Sequence, residues 1–209
     1  MIVLVFDTCL DKSYIVLRND DKILSSKILS SDEKNYHSAY LISTISSVLK
    51  ENNLTPKDLN GIAINIGPGS FTGIRACTTV ARVMAQELGI KALGISSLEI
   101  LSRAMDDKYV VALDARKDKA YLYDGKLLGA LDLTEVDEIV KGRDVITDDR
   151  LLDRFKPIGK DVISYQQANF ELGKVLSEIA IGRIDSEECD WHNLMPLYIQ
   201  PPPVTVKSK

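Results

Sequence analysis

VLVFDTCLDKSYIV, residues 3–16, is matched later in the chain by VVALDARKDKAYLY, residues 110–123. Each copy carries two aspartates, a lysine and a tyrosine at the same spacing: Asp7, Asp11, Lys12 and Tyr14 in the first copy, and Asp114, Asp118, Lys119 and Tyr121 in the second. Apolar, β-branched runs on both sides of a polar turn are typical of a β-hairpin. A third apolar run follows each hairpin, DKILSSKIL in the first half and GKLLGALDL in the second. Four equal spacings inside matched strand patterns favour an internal duplication over a chance match.

Helix and strand patterns alternate after the first three strands. The run 35–52 predicts a long helix whose buried face carries Leu41, Ile42, Ile45, Val48 and Leu49. TPKDL predicts a short helix with Thr55 as its N-cap, and GIAINI predicts a strand. The glycine-containing segment after that strand predicts a helix that Gly89 ends, with a buried stripe made of Ile74, Cys77, Thr78, Ala81, Met84, Ala85 and Leu88. KALGI and SSLEILSRAM predict a further strand and a helix with a serine cap. The first half is therefore an α/β unit.

The second half repeats this plan in abbreviated form. We expect a helix near TEVDEIVKG, a strand at DVIT and a long helix through YQQANFELGKVLSEIAIG. Two α/β lobes facing each other are predicted, an N-terminal lobe at 1–104 and a C-terminal lobe with its tail at 105–209.

The segment INIGPGSFTGIRACTTVARVMAQELG, residues 64–89, resembles a phosphate-binding loop. A Walker A loop needs a lysine after its last glycine, whereas Gly73 is followed by Ile74 and Arg75. The spacing of Gly67, Gly69 and Gly73 also fits a dinucleotide fingerprint poorly. Ser70 lacks the G-x-S-x-G context of a nucleophile elbow. Two interpretations stay open for Gly67, Gly69, Ser70, Gly73 and Arg75: a tight turn that lets a helix pack closely on the sheet, or an anion or partner contact.

Composition restricts the possible partners. The net charge is −4, the pI is near 5.3 and no stretch concentrates lysine and arginine, so we expect any contact with nucleic acid to need a partner protein. MIVLVFDTCL lacks a positive n-region, which favours a cytoplasmic protein without a signal peptide or membrane anchor. Cys9, Cys77 and Cys189 lack C-x-x-C spacing, which favours reduced thiols over disulfides or a zinc site. We expect neither a metal nor a cofactor.

Four stretches together resemble the TsaB family, also called YeaZ: GPGSFTGIRACTTVARVMA, FDTCLDKSYIVL, ALDARKDKAYLY and MPLYIQ. The resemblance implies the actin-like ATPase fold, a ribonuclease H-like α/β architecture with duplicated βββαβα units. It also implies a place in the bacterial machinery that puts a threonylcarbamoyl group on the adenosine beside the anticodon of certain tRNAs. In that family's scheme TsaD performs the transfer, TsaE is an ATPase, and the TsaB-type subunit holds TsaD in a working form.

The sequences of the two hairpin turns indicate whether this subunit could itself bind a nucleotide. In actin-like ATPases these turns are the phosphate loops, and their glycines expose backbone N–H groups to the phosphates. DTCLDKS and DARKDKA contain no glycine. Asp7 and Asp114 are either ordinary turn formers or vestigial magnesium-orienting groups. His37 is followed four residues later by Leu41, so the histidine pair of a TsaD-type metal site is missing. We expect a non-catalytic subunit; a weak ATPase or phosphotransferase in the interlobe cleft is the alternative.

The first long helix has an unusual surface, because residues 35–49 include no charged side chain. Together with small residues of the next helix, its second face predicts a partner surface made of Tyr36, Ala39, Tyr40, Ser43, Ala76, Thr79 and Ala85. We expect this surface to bind a TsaD-type subunit, with TsaE joining the full complex, and to form a homodimer when the chain is alone. The competing interpretation is that the second lobe or the tail covers this face.

Overall fold

A computed structural model describes residues 1–29, 40–185 and 189–200. Within these ranges ten β-strands form: β1 (Ile2–Asp7), β2 (Ser13–Asn19), β3 (Lys22–Leu29), β4 (Gly61–Asn65), β5 (Lys91–Ile95), β6 (Val110–Arg116), β7 (Lys119–Tyr123), β8 (Leu127–Asp132), β9 (Asp144–Thr147) and β10 (Asp161–Ser164). Six α-helices accompany them: α1 (Leu41–Glu51), α2 (Phe71–Leu88), α3 (Ser97–Arg103), α4 (Leu133–Val140), α5 (Asp149–Phe155) and α6 (Leu172–Arg183). Two short 3-10 helices lie at Pro56–Asp58 and Trp191–Asn193. No helix in the described part of the chain is both long enough and apolar enough to cross a membrane.

Two five-stranded sheets share one strand order. The first runs β3-β2-β1-β4-β5, and the second, in the same sense, β8-β7-β6-β9-β10. In each sheet the first three strands are antiparallel, and the remaining two run parallel to the central strand. Each half of the chain therefore builds the same unit, which confirms the duplication and the actin-like fold.

The central core lies between the two sheets. β1 sends Val3 and Val5 into it, and β6 sends Val111 and Leu113. α6 packs on β1, β2 and β4 of the first sheet, while α3 packs on β6 and β7 of the second. The predicted lobe boundary at residue 104 therefore lies between the two sheets. It does not divide the covering helices in the same way, because α6 from the second half covers the first sheet and α3 from the first half covers the second.

The alternate residues of the same strands face outward into two further cores. Leu4 and Phe6 of β1 meet α1 and α2. Val110 and Ala112 of β6 meet α4 and α5. Because both faces of each central strand are covered, these strands are apolar throughout rather than alternating.

Three elements were not predicted from the sequence, and two boundaries differ from the prediction. These elements are α5, β10 and the 3-10 helix at Trp191–Asn193. β10 was missed although DVIS at 161–164 nearly repeats DVIT at 144–147 and pairs with it in parallel. α6 begins at Leu172 rather than near residue 165. α1 begins at Leu41, and the earlier part of the predicted helix lies outside the described residues. Ile42, expected on the buried face, is 67% exposed.

Candidate functional site

Asp7 ends β1 and is buried. Its carboxylate accepts hydrogen bonds from the backbone N–H of Cys9 at 2.6 Å and from Asn65 Nδ2 at 3.0 Å. The Asn65 side-chain oxygen in turn accepts from Gly67 N and from Ser97 Oγ. Burial raises the pKa of Asp7 to about 6, and the hydrogen bond from Asn65 opposes that shift. The carboxylate therefore ties β1 to β4 inside the protein.

Asp114 takes the same role at the end of the second copy. Its Oδ1 accepts from Arg116 N at 2.9 Å, two residues on, as Asp7 does from Cys9. Its Oδ2 pairs with Arg150 Nη1 at 2.9 Å. The backbone N–H of Asp114 donates to Asp148 Oδ2 at 2.6 Å. An aspartate that closes its own turn explains why the two copies share this residue and supports the interpretation of both as turn formers.

The two hairpin turns differ in structure, although their aspartate, lysine and tyrosine residues have the same spacing. Asp7 pairs directly with Tyr14 in the first hairpin. In the second, Asp114 pairs with Ala120, and the strand continues through a bulge to Arg116. Arg116, Lys117 and Asp118 all adopt positive φ values, which non-glycine residues rarely do.

A polar cleft of about 420 Å³ lies between the lobes at these turns. The first turn and the glycine segment line one wall, and Asp114, Asp148, Arg150 and Tyr165 line the other. Asp7 is not among the lining residues. Burial raises the pKa of Asp148 and, more strongly, that of Tyr165. Asp148 and Arg150 were missed by the sequence analysis; the only signal was the N-cap pattern TDDR, in which Asp148 accepts from Arg150 N and Leu151 N.

The glycine segment packs directly on the first turn. A Cβ at Gly73 would collide with the carbonyl oxygen of Thr8, and one at Gly69 with that of Cys9. Ser70 N donates to Cys9 O at 2.7 Å, and Thr8 Oγ1 donates to Gly73 O at 2.8 Å. Ser70 also caps α2 by accepting from Gly73 N. These contacts support the close-packing interpretation of the glycines.

The other two residues named in this segment lie at its ends. Gly67 has φ +98° and precedes Pro68 through a cis peptide bond. Arg75 is exposed on α2, with its guanidinium carbon 5.3 Å from the centroid of the Phe71 ring.

One group of metal-ligating atoms occurs among the described residues: the Asp7 carboxylate and the thiols of Cys9 and Cys77 lie within 4.8 Å of one another and are buried. Each already has protein partners. Cys9 Sγ donates to Asn65 O at 3.2 Å, and Cys77 Sγ lies 3.2 Å from Thr8 Oγ1. A metal ion here would have to replace these hydrogen bonds.

The raised pKa of Asp7 predicts a pH-dependent stability. The folded state holds the Asp7 proton up to about pH 6, whereas the unfolded chain releases it near 3.8. Stability from this group is therefore complete below pH 3.8 and falls as the pH rises to 6, by about 3 kcal/mol. We expect the difference in unfolding free energy between the wild type and Asp7→Asn to shrink over that window and to be flat above it.

Urea unfolding at a series of pH values checks this expectation. Asp124→Asn is the control with the opposite sign, because Arg143 lowers the pKa of Asp124, whose stabilisation is lost as the pH falls. A constant difference between wild type and Asp7→Asn would show that folding does not raise the pKa of Asp7.

A second concave surface lies between α1 and α2; we call it the α1–α2 groove. Its volume is about 630 Å³, and of its lining residues only Lys50 and Glu87 are charged. The apolar lining comes mainly from Ile42, Ile45, Leu49, Leu54, Val80, Val83, Met84 and Leu88. Ile42 and Val83 are 67% and 55% exposed.

The predicted partner residues are distributed unevenly around this groove. Thr79 lines it, whereas Tyr40 and Ser43 are exposed on α1 outside it. Ala76 is half-buried. Ala85 is wrong as a surface residue, because it is fully buried in the core under α2. Tyr36 and Ala39 lie outside the described residues.

Neither Val83 nor Met84 was predicted from the sequence to line a groove. Ile42 and Met84 were predicted on the buried faces of their helices, and no prediction was made for Val83. The sequence signal for the groove was the presence of further apolar residues next to a buried face that was already complete. These residues form a second apolar strip on each helix.

Comparisons with known proteins agree on one family. A family model described as TsaD, tRNA N6-adenosine threonylcarbamoyltransferase, matches residues 22–182. The chain is 28% identical to the tRNA threonylcarbamoyladenosine biosynthesis protein TsaB of Bacillus subtilis, over 96% of this chain and 94% of that protein. It is 34% identical to the TsaB protein of Buchnera aphidicola subsp. Schizaphis graminum, over 57% of this chain and only 58% of that protein's length.

Solved structures share the fold over nearly the whole chain. A Pseudomonas aeruginosa protein described as similar to peptidase YEAZ has a TM-score of 0.73 and 22% identity, covering 95% of this chain and 99% of that one. YeaZ from the same organism has a TM-score of 0.70 and 20% identity, covering 94% and 99%.

Proposed function

The chain belongs to the TsaB (YeaZ) family of tRNA threonylcarbamoyladenosine biosynthesis proteins, and we propose that it acts there as a non-catalytic subunit that binds and activates a TsaD-type transferase. The observation that carries the proposal is the α1–α2 groove. Two helices present a largely apolar surface in which only Lys50 and Glu87 are charged. Exposed apolar patches of this kind mark sites where proteins associate.

The match to the TsaD family model supports the choice of partner. A TsaD-type subunit related to this chain would carry its own counterparts of α1 and α2. Two such helix pairs can bury their apolar strips against each other by ridges-into-grooves packing. The same argument applies to a second copy of this chain, so we propose that the free protein forms a homodimer through the groove and that the TsaD-type partner competes with it.

The contacts in the interlobe cleft support a non-catalytic role for this subunit. Two backbone N–H groups of the first turn are used inside the protein, since Thr8 N donates to Cys77 Sγ and Cys9 N to Asp7. These two donors are therefore not free to bind a phosphate. Asp7 is enclosed and Asp114 is held in an ion pair with Arg150, so neither carboxylate is poised toward a metal ion. In the full complex we propose that a TsaE-type ATPase joins and that the assembly works in the cytoplasm.

Reconstitution with TsaD-type and TsaE-type subunits, threonylcarbamoyl-adenylate and tRNA tests the proposal. Omitting this chain should abolish formation of modified adenosine, because the transferase then lacks its activating partner. Asp114→Ala should leave the modification rate within about twofold of wild type while lowering thermal stability modestly, since it loses the hydrogen bond from Arg116 N, worth about 1 kcal/mol, and the ion pair with Arg150. Full activity without this chain would refute the proposal.

The same variant distinguishes the competing hypothesis of a weak ATPase or phosphotransferase in the cleft. If Asp114→Ala still binds the partner but loses modification completely, the cleft carries chemistry and the subunit is catalytic.

A further inference from the structure

Beside the groove, α2 and the segment after the second 3-10 helix form a surface that combines cations with aromatic rings. Arg75 and Arg82 are seven residues apart on α2 and so lie on one side of it, about 10 Å apart along the axis. Arg75 stacks on Phe71, and the guanidinium carbon of Arg82 lies 5.7 Å from the centroid of the Trp191 ring. The Phe71 ring stacks on Tyr198 at 5.7 Å. We call this surface the arginine–aromatic patch.

The two arginines differ from the others on the described surface. Each of the others forms an ion pair with a carboxylate: Arg103, Arg116, Arg143, Arg150, Arg154 and Arg183. Within the described residues Arg75 and Arg82 contact rings, and Arg82 Nη1 also donates to Met195 Sδ at 2.8 Å and to Leu194 O at 3.5 Å. The carboxylate of the neighbouring segment, Asp190, is bound by the ring of His192. The charge of both guanidinium groups is therefore available to an anionic ligand.

The aromatic rings beside the two arginines restrict which anionic ligands suit the patch. Phe71 is 57% exposed and Tyr198 50% exposed, so part of each side chain is open to solvent. Arginines placed beside partly exposed aromatic rings suit a strand of phosphates that carries unstacked bases. Thr79 and Val83 line both the patch and the α1–α2 groove. A protein partner bound in the groove would therefore leave the patch at the edge of the complex.

We propose that the arginine–aromatic patch binds an unpaired segment of the tRNA substrate, with Arg75 and Arg82 on phosphates and the Phe71–Tyr198 pair stacking on a base. This inference rests on the proposed function, and it revises the expectation that tRNA is reached only through the partner.

The test uses the complex of this chain with its TsaD-type partner and fluorescently labelled tRNA. For Arg75→Gln/Arg82→Gln we expect the Kd for tRNA to rise about tenfold at 0.1 M salt, because two phosphate contacts are lost. The slope of log K against log salt should fall by about 1.4 to 1.8. The control, Arg103→Gln/Arg154→Gln, removes the same charge from paired arginines elsewhere and should change neither quantity appreciably.

Affinity for the partner is measured on the same variants. If the patch double variant loses the partner, the patch is part of a protein interface and the RNA assignment is overturned. If it keeps both partner and tRNA affinity, the assignment is equally overturned. If the wild type itself fails to bind the partner, the proposed function falls, and ultraviolet cross-linking of tRNA to Phe71 or Tyr198 in the isolated chain decides the RNA contact: cross-links support it and their absence overturns it.

Discussion

Val83→Glu is expected to abolish binding of the TsaD-type partner, and with it tRNA modification, in a chain that remains folded. Val83 is 55% exposed on α2 and lines the groove, so a glutamate there is solvated in the free protein. In a complex the same carboxylate would lose its hydration against the apolar surface of the partner. Burying a charge in this way costs about 3 to 5 kcal/mol, which weakens binding by a factor of about a hundred or more.

Two controls separate this effect from a loss of stability or of surface hydrophobicity. Leu127→Glu puts the same charge on an exposed apolar residue of β8, far from the groove, and should leave partner binding intact. Val83→Thr keeps the shape without the charge and should retain most of the affinity. Ala85→Arg is unsuitable, since Ala85 is buried and the variant would disrupt the core.

The measurements are circular dichroism for folding, a quantitative pull-down for the partner, and the reconstituted modification assay. Light scattering on the free protein adds the homodimer: if the groove serves both assemblies, Val83→Glu should also be monomeric. A folded Val83→Glu variant that binds the partner with wild-type affinity would place the interface elsewhere.

Gly73→Ala is expected to be the most destabilising small substitution in the chain. The added methyl group would overlap the carbonyl oxygen of Thr8, which is backbone and cannot rotate away. Relief requires α2 to move off the first turn, breaking the bond from Thr8 Oγ1 to Gly73 O and disturbing the contact of Cys77 with Thr8. We expect a loss of about 3 kcal/mol or more in unfolding free energy.

The matched control is Gly182→Ala, a glycine of α6 around which an added Cβ meets no atom within 4 Å. Removing a glycine from an open helical position should stabilise the chain by about 0.5 to 1 kcal/mol. Urea denaturation of both variants checks the pair. A Gly73→Ala variant as stable as wild type would mean that the segment is not packed as tightly as described and would reopen its interpretation as a binding loop.

Much of the candidate site was open to prediction, and the failures have a common cause. Gly89 was predicted as the end of α2, because caps depend on hydrogen bonds within a few residues. Ile42, Ala85 and Val83 were not assigned correctly, since an apolar residue on a helix suits a core and an interface equally well. Only the position of the neighbouring helix and sheet decides which of them is covered.

The sequence by itself determined the duplicated hairpins and the order of most strands and helices. These features depend on the period of apolar residues along the chain, and such short-range patterns can be read from neighbouring residues. The tertiary structure alone decided that α6 covers the first sheet, that burial raises the pKa of Asp7, and that Phe71 meets Tyr198. Each of these depends on residues far apart in the chain, whose contacts are selected by how whole apolar faces pack together.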